Sequence, residues 1–184
     1  MNNLMIWGVG LGRTATKSLH GALDSLGYKI KHNPSDVINL NNTYRGAIEG
    51  AVLFNYKYLD LRFPNSKFIL TTRELFSWLK SCERAINNLY PMDRFNEKDE
   101  CYNSMIRNRA NRYGCLEYDR ERLIEKYYEH HTDVISHFKG RAHKLLIMNI
   151  SEGDGWEKLC PFLEQDTPET PFPCIAEKHN RRQT

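Results

Sequence analysis

The sequence lacks a long apolar run, a paired-cysteine motif and a dense basic segment, and each absence excludes a class of protein. No stretch approaches the roughly 18 apolar residues that a membrane-spanning helix needs, and residues 1–4 lack the basic start of a signal peptide. Five cysteines form an odd set without a CxxC pair, which predicts reduced thiols and no metal site. A net charge of +3 is too small for polybasic nucleic-acid binding. We therefore expect a cytoplasmic protein without a nucleic-acid or membrane partner.

Short apolar segments alternate with amphipathic segments along the 184 residues. This alternation predicts an α/β fold, in which a parallel sheet lies between two helical layers as a three-layer sandwich. We expect a single domain over residues 1–167 and a C-terminal extension over 168–184, and no element is assigned to 35–50. The predicted strands are 4–10, 28–32, 67–72 and 144–150, and the predicted helices are 16–26, 55–63, 74–89, 97–114, 117–139 and 153–163.

The segment GVGLGRTATKS (8–18), between the first strand and the first helix, predicts a phosphate-binding loop. A helix N-terminus offers free N–H groups and the positive end of the helix dipole to an anion. One interpretation is a dinucleotide fingerprint, because residues 10–15 fit G-x-G-x-x-A. That class needs an acid at the end of the next strand, where the sequence instead has Lys31-His32-Asn33 before Pro34.

A second interpretation is the Walker A loop of a kinase or NTPase, with Lys17-Ser18 as its final pair. In that alignment Leu11 and Thr16 occupy the places of both glycines. Magnesium-dependent phosphoryl transfer also needs an acid at the end of a buried strand. The later predicted strands end in polar or basic residues instead, so this interpretation is kept as an alternative.

The third interpretation accounts for more of the loop, because GRTATKSL resembles the 5′-phosphosulfate loop of the sulfotransferases. Their cofactor is 3′-phosphoadenylyl sulfate (PAPS), and many members have an Arg-Thr-Gly-Thr core where this chain has Ala15 in place of glycine. The resemblance implies a P-loop nucleoside triphosphate hydrolase-like fold. It also implies catalytic roles for Arg13 and Lys17, which would offset charge on the departing oxygen. The cofactor-binding residues that it implies in this loop are Gly12, Arg13, Thr14, Ala15, Thr16, Lys17 and Ser18.

A second motif, FILTTRELFSWLKS, agrees with this resemblance. Its strand ends at Arg73, and Ser81 follows eight residues later. An arginine at the C-terminal end of a strand faces the ligand crevice of an open α/β sheet, and its guanidinium suits phosphate oxygens. Pairing with Glu74 or Glu83 is the structural alternative. The resemblance implies that Arg73 and Ser81 bind the 3′-phosphate of PAPS, or of its product adenosine 3′,5′-bisphosphate (PAP).

The catalytic base is suggested only by an alignment with small bacterial and invertebrate members of this family. An ungapped alignment of the segment before NYKYLDLRFP places Glu49 where those members have an aspartate. A glutamate there could take a proton from an acceptor hydroxyl; the alternative is that Glu49 is a surface acid. His20 and His32 are alternative bases or acceptor contacts.

Two further groups of polar residues are expected to face solvent. One consists of three histidines without metal-ligand spacing, and the other is an arginine cluster that would favour an acidic or sugar-like acceptor if it pointed inward. These residues are His130, His131, His137, Arg107, Arg109 and Arg112.

The function expected from these residues is transfer of a sulfuryl group from PAPS to a hydroxyl or amine of a small-molecule or glycan acceptor. Two alternatives stay open: a P-loop small-molecule kinase or NTPase, and a nucleotide-binding relative of the sulfotransferases that has no transfer activity.

Overall fold

A computed structural model describes residues 4–89 and 100–175 of the chain as five strands and six α-helices with two short irregular helices. The strands are β1 (Ile6–Gly8), β2 (Lys31–His32), β3 (Gly46–Ile48), β4 (Lys67–Thr71) and β5 (Leu145–Met148). The helices are α1 (Thr16–Ser25), α2 (Val52–Arg62), α3 (Leu75–Arg84), α4 (Glu100–Tyr113), α5 (Arg120–His137) and α6 (Trp156–Leu163). A π-helical turn (Ala85–Leu89) extends α3, and a 3₁₀ turn (Ile150–Glu152) follows β5.

The five strands form one parallel sheet in the order β2-β3-β1-β4-β5. β1 therefore lies in the middle, with β3 and β4 on either side of it. In a parallel sheet the carboxyl ends of all strands meet at one edge, and the reversal of strand order opens a crevice there. The loops after β1, β3 and β4 consequently lie next to one another.

Helices cover both faces of the sheet. Alternate strand residues such as Ile6 and Ile69 pack against α1 and α6, whereas Trp7 and Phe68 pack against α2 and α5. This alternation follows from the two-residue period of a strand, and burial on both faces is typical of parallel sheets. The predicted α/β three-layer sandwich is confirmed. No helix in the described part of the chain is long and apolar enough to cross a membrane.

β3 was not predicted; it lies within residues 35–50, to which no element was assigned from the sequence. Only three residues form this strand, and its first residue is Gly46, which strand propensity disfavours. A Cβ on Gly46 would lie 1.7 Å from the carbonyl oxygen of Ile6. The glycine is therefore needed for the close approach of β3 to β1. The predicted second strand is shortened to β2.

The prediction that three histidines of α5 face solvent is wrong. His130 and His131 are buried, and His137 Nε2–H donates to Asp60 Oδ2 over 2.9 Å. His130 Nε2–H donates to the carbonyl oxygen of Val9 over 2.6 Å, just before the glycine loop. Leu123, His130 and Val134 follow helical spacing on the buried face of α5. This helical spacing could have predicted that His130 is buried, although several of the residues between these positions are polar.

Residues 168–175, the first part of the predicted C-terminal extension, lie against the body of the domain. Trp156 Nε1 donates to the carbonyl oxygen of Thr170 over 2.8 Å, and the ring of Phe172 packs edge-on against the same indole. The amide of Ile175 donates to Ser18 Oγ over 3.0 Å. This segment thus reaches the first turn of α1. Residues 176–184 lie outside the described part, and the boundary at residue 167 stays a prediction.

Candidate functional site

The glycine loop joins β1 to α1 at the carboxyl edge of the sheet. A Cβ on Gly10 would lie 1.9 Å from Thr71 Oγ1 and 2.8 Å from the Thr71 carbonyl, so only glycine fits beside β4. Thr14 is fully buried, and its hydroxyl donates to the Leu11 carbonyl over 2.6 Å and contacts Thr71 Oγ1. Thr14 therefore fixes the loop against β4 and does not line the cleft described next.

An open cleft of about 670 Å³ lies over this loop. It is lined by Gly12, Arg13 and the first turn of α1, and also by residues that follow each of the four other strands. His20 does not line the cleft. Its Nε2–H instead donates a hydrogen bond to the carbonyl oxygen of Ile30 over 3.0 Å. The predicted site residues that the structure brings together here are Gly12, Arg13, Ala15, Thr16, Lys17, Ser18, Glu49, Arg73 and Ser81.

On the β4 side of the cleft, hydrogen bonds join the loop to α3. Arg13 Nε–H donates to Ser81 Oγ over 3.0 Å, and Arg73 Nη1–H donates to the carbonyl oxygen of Arg13 over 3.3 Å. The indole of Trp78 donates to the carbonyl of Gly12 over 2.9 Å. The Tyr127 hydroxyl in turn donates to the Arg73 carbonyl over 2.6 Å. These contacts hold the two predicted phosphate motifs in one arrangement.

Arg73 does not form the ion pairs considered as its structural alternative. Glu74 instead accepts from the amides of Phe76 and Ser77 at the start of α3, and these bonds hold the pKa of Glu74 below its usual value. The Nε of Arg73 is buried and has no hydrogen-bond partner within residues 4–89 and 100–175. Buried polar groups are almost always paired in folded proteins. An anionic ligand is the partner that this guanidinium fits.

On the β3 side of the cleft, Glu49 follows the last residue of β3 and is only 3 % exposed. The hydroxyl of Thr16 donates a short hydrogen bond to Glu49 Oε1. Arg112 Nη2 lies 3.3 Å from Glu49 Oε2, and His32 Nε2 lies 4.0 Å from the same oxygen. Burial is the largest influence on His32 and lowers the pKa of its imidazole. His32 is therefore neutral at neutral pH, and Arg112 is the positive partner of Glu49.

Backbone strain is concentrated in this cleft. Of the five non-glycine residues with positive φ in the described part, four line it: Arg13, Ala15, Asn33 and Glu49. Such conformations cost on the order of 1–3 kcal/mol each and persist where the surrounding structure enforces them, often at functional sites. The φ of Ala15 is 64°, a conformation that glycine adopts without strain. This explains why the resembling loops have glycine at that position.

The predicted solvent exposure of the arginine cluster on α4 is wrong for two of its members. Arg109 is buried and donates to the carbonyls of Leu116 and Ile86, and burial lowers the pKa of its guanidinium. Arg112 points into the cleft. The side chain of Arg107 lies outside the described part. Polar residues predominate in α4, so its sequence shows no clear apolar face from which the burial of these arginines could be predicted.

Two cations that line the cleft, Lys80 and Arg84, were not predicted as site residues. They lie on α3 with Ser77 and Ser81, at spacings of three, four and seven residues, and form one polar face. The apolar residues Trp78, Leu79 and Cys82 form the opposite, buried face. The polar stripe that follows Arg73 was the signal that could have identified them.

Comparison with known proteins shows the family. A family model described as a sulfotransferase domain matches residues 31–181, most of the chain, so the protein belongs to the sulfotransferase domain family. The match includes Glu49, Arg73 and Ser81 and begins after the glycine loop. The chain is also similar to a protein of Aspergillus versicolor named Ava biosynthesis cluster protein M. The two are 23 % identical over 209 residues, which cover 91 % of this chain and 79 % of that protein.

Proposed function

We propose that this protein is a cytoplasmic sulfotransferase that moves a sulfuryl group from PAPS to a hydroxyl or amine of a small-molecule or glycan acceptor. The observation that supports this most strongly is the convergence of two anion-binding motifs on one cleft. Arg13 and Ser81 are 68 residues apart in sequence and are hydrogen-bonded. Arg73 contacts the same loop through the carbonyl of Arg13. Family membership supports the same reaction class.

The cleft fits a nucleotide with two phosphate groups. Its volume of about 670 Å³ lies within the usual range of roughly 300–1,000 Å³ for small-molecule sites. The loop and the start of α1 would hold the 5′-phosphosulfate, while Arg73 and Ser81 would hold the 3′-phosphate. Lys80 and Arg84 extend the positive surface beside them. When bound, PAPS supplies a sulfuryl group that is activated by its bond to phosphate.

Different residues would stabilise the developing charge and accept the proton. Arg13 and Lys17 would stabilise the negative charge that develops on the departing phosphate oxygen, which is the largest catalytic effect in many enzymes. The acceptor oxygen or nitrogen would bond to sulfur while the bond between sulfur and the bridging oxygen of the phosphate breaks. The acceptor's proton would pass to Glu49. Because cationic side chains supply the positive charge, the proposed reaction needs no metal ion. Geometry favours Glu49 over His20, which lies outside the cleft.

The proposal is tested by calorimetric titration of the protein with PAP in the presence of a metal chelator. We expect binding, and we expect Arg73→Met to weaken it by about tenfold or more, because charge-assisted hydrogen bonds contribute about 1.5–3 kcal/mol. Arg62→Met is the matched control, since Arg62 lies in the last turn of α2 and does not line the cleft. Absence of PAP binding, or equal affinity in the wild type and Arg73→Met, would contradict the proposal.

One structural observation favours a kinase or NTPase as the second candidate. Glu49 directly follows β3 and is therefore a strand-end acid, which was not predicted because β3 itself was not predicted. In magnesium-dependent phosphoryl transfer such an acid holds the metal. Here Glu49 is paired with Arg112, and Leu11 and Thr16 replace the Walker glycines. Tight binding of ATP with Mg²⁺ but not of PAP would select this candidate.

A relative that binds nucleotide without transferring sulfate is distinguished by turnover. The protein is incubated with PAPS labelled in its sulfuryl group and a panel of phenols, amines and sugars. Label on any acceptor that disappears in Arg13→Ala establishes transfer, because Arg13 belongs to the proposed catalytic loop. PAP binding with no labelled product on any of them supports the non-catalytic alternative.

A further inference from the structure

The cleft has two sides that the sheet order keeps apart. Arg73 and Ser81 belong to the segment after β4, whereas Glu49 follows β3 and His32 is the last residue of β2. β1 lies between β3 and β4, so the glycine loop separates the two sides. Since the nucleotide phosphates are proposed to bind on the loop and the β4 side, the acceptor would bind on the β3 side. That side contains Glu49, His32 and Arg112.

Arg112 is the cation of the acceptor side, and its Nε–H donor has no partner among the described residues. A guanidinium has five N–H donors arranged in a planar fork. The contact of Arg112 with Glu49 is a 3.3 Å ion pair through Nη2, and its side chain is only 21 % exposed. Its Nε is buried without a hydrogen-bond partner in the part of the chain that the structure describes. A buried donor without an acceptor destabilises the unliganded site, so a ligand atom is the expected acceptor.

We propose that Arg112 binds an acid group of the acceptor, so that the substrate is a hydroxyl compound that carries a carboxylate or a similar oxyanion. This inference rests on the proposed function. The planar guanidinium suits such a group, because two parallel N–H bonds can form with two oxygens. Since Arg112 also contacts Glu49, the acid group lies within a few bonds of the hydroxyl that reacts.

The surroundings of Arg112 suit an acidic ligand. The carboxylate of Glu49 faces Nη2, and the Nε of Arg112 has no hydrogen-bond partner within residues 4–89 and 100–175. His32 is neutral at neutral pH, since burial lowers its pKa, and its Nε2 is another buried atom without a hydrogen-bond partner in the described part. His32 can therefore bond to the ligand without adding charge. The hydroxyl of Tyr113 also lies close to Glu49 and Arg112. A Cβ on Gly12 would be 3.6 Å from this hydroxyl, 3.7 Å from Glu49 Oε1 and 3.8 Å from Arg112 Cδ.

The test compares acidic ligands with neutral ligands of the same shape. The pairs are 3-hydroxybenzoate with 3-hydroxybenzamide, and glucuronate with glucuronamide. Each is titrated calorimetrically into the protein alone and into the protein saturated with PAP. We expect each acid to bind about tenfold or more tightly than its amide, because a charge-assisted pair contributes roughly 1.5–3 kcal/mol. In Arg112→Met this ratio should fall to about twofold or less.

Two controls distinguish binding of the acid group by Arg112 from a general effect of lost charge or lost folding. Arg122→Met removes the same charge from α5, where Arg122 is half exposed, pairs with Glu125 and does not line the cleft, and it should keep the wild-type ratio. A cooperative thermal transition checks that each variant folds. If Arg112→Met weakens acid and amide equally, Arg112 only positions Glu49 and the inference is overturned.

The inference is also overturned if the wild type shows no preference for acids, or binds neither acid. The PAP titration is a separate measurement that tests the proposed function. Because the probes are also titrated into the protein alone, the preference for acids can be read whether or not PAP binds. Failure of the proposed function is therefore distinguishable from failure of this inference.

Discussion

Replacing Ala15 by glycine should stabilise the protein, although alanine-to-glycine changes usually destabilise. Ala15 has φ 64° and ψ 29°, the left-handed conformation, which costs a non-glycine residue about 1–2 kcal/mol. Glycine removes that strain, but its greater freedom in the unfolded chain offsets about 0.4–1 kcal/mol. Loss of a half-buried methyl group costs about 0.4 kcal/mol more. The net gain expected for Ala15→Gly is about 0.5 kcal/mol.

The measurement is urea unfolding of Ala15→Gly beside a second alanine-to-glycine variant, Ala110→Gly. Ala110 is exposed within α4, so glycine there should destabilise by about 1 kcal/mol. The midpoints of the two variants should move in opposite directions from that of the wild type. If Ala15→Gly destabilises as much as Ala110→Gly does, residue 15 is not in the left-handed conformation and the explanation of loop strain is refuted.

Two buried ionisable groups away from the cleft give pH-dependent predictions. Burial raises the pKa of Asp60, but hydrogen bonds from Lys144, Arg141 and His137 outweigh it and hold the pKa below its usual value. Asp60→Asn should therefore cost about 3 kcal/mol at pH 7, measured by urea unfolding. The cost should shrink as the pH falls through the lowered pKa of Asp60, and a constant cost would contradict the charge argument. Burial lowers the pKa of His130 to about 4, so its unfolded form binds a proton first and stability falls from about pH 6.5 to pH 4. His130→Gln should remove up to about 3 kcal/mol of that loss, and identical pH profiles of the two proteins would refute it.

The elements that sequence patterns predicted are those whose signal is local. The glycine loop, β4 and Arg73 follow from a strand that ends in turn residues and a helix that begins directly after it. β3 was missed because its three residues include Gly46, and its pairing depends on Ile6 forty residues earlier. Long-range pairing of this kind has no local signature.

The same limit applies to side chains whose environment comes from distant segments. Arg112 belongs to a helix of polar composition, and only the packing of α4 over the cleft brings it to Glu49. His130 is buried because its helix covers the carbonyl of Val9. Glu49 was reached only through a family alignment, which located the residue but did not identify the strand that positions it. Tertiary contacts therefore determine the environments of Arg112, His130 and Glu49.

Two independent physical features point to the candidate site without the family match, which begins only after the glycine loop. Four of the five strained non-glycine residues of the described part line the cleft. Of the six buried side-chain atoms without hydrogen-bond partners there, three belong to cleft residues, namely His32, Arg73 and Arg112. Strain and unpaired donors both raise the free energy of the unliganded fold. Such features persist together where a ligand compensates for them. The three unpartnered atoms lie on both sides of the loop: Arg73 Nε where the nucleotide is proposed to bind, and His32 Nε2 and Arg112 Nε where the acceptor is proposed to bind.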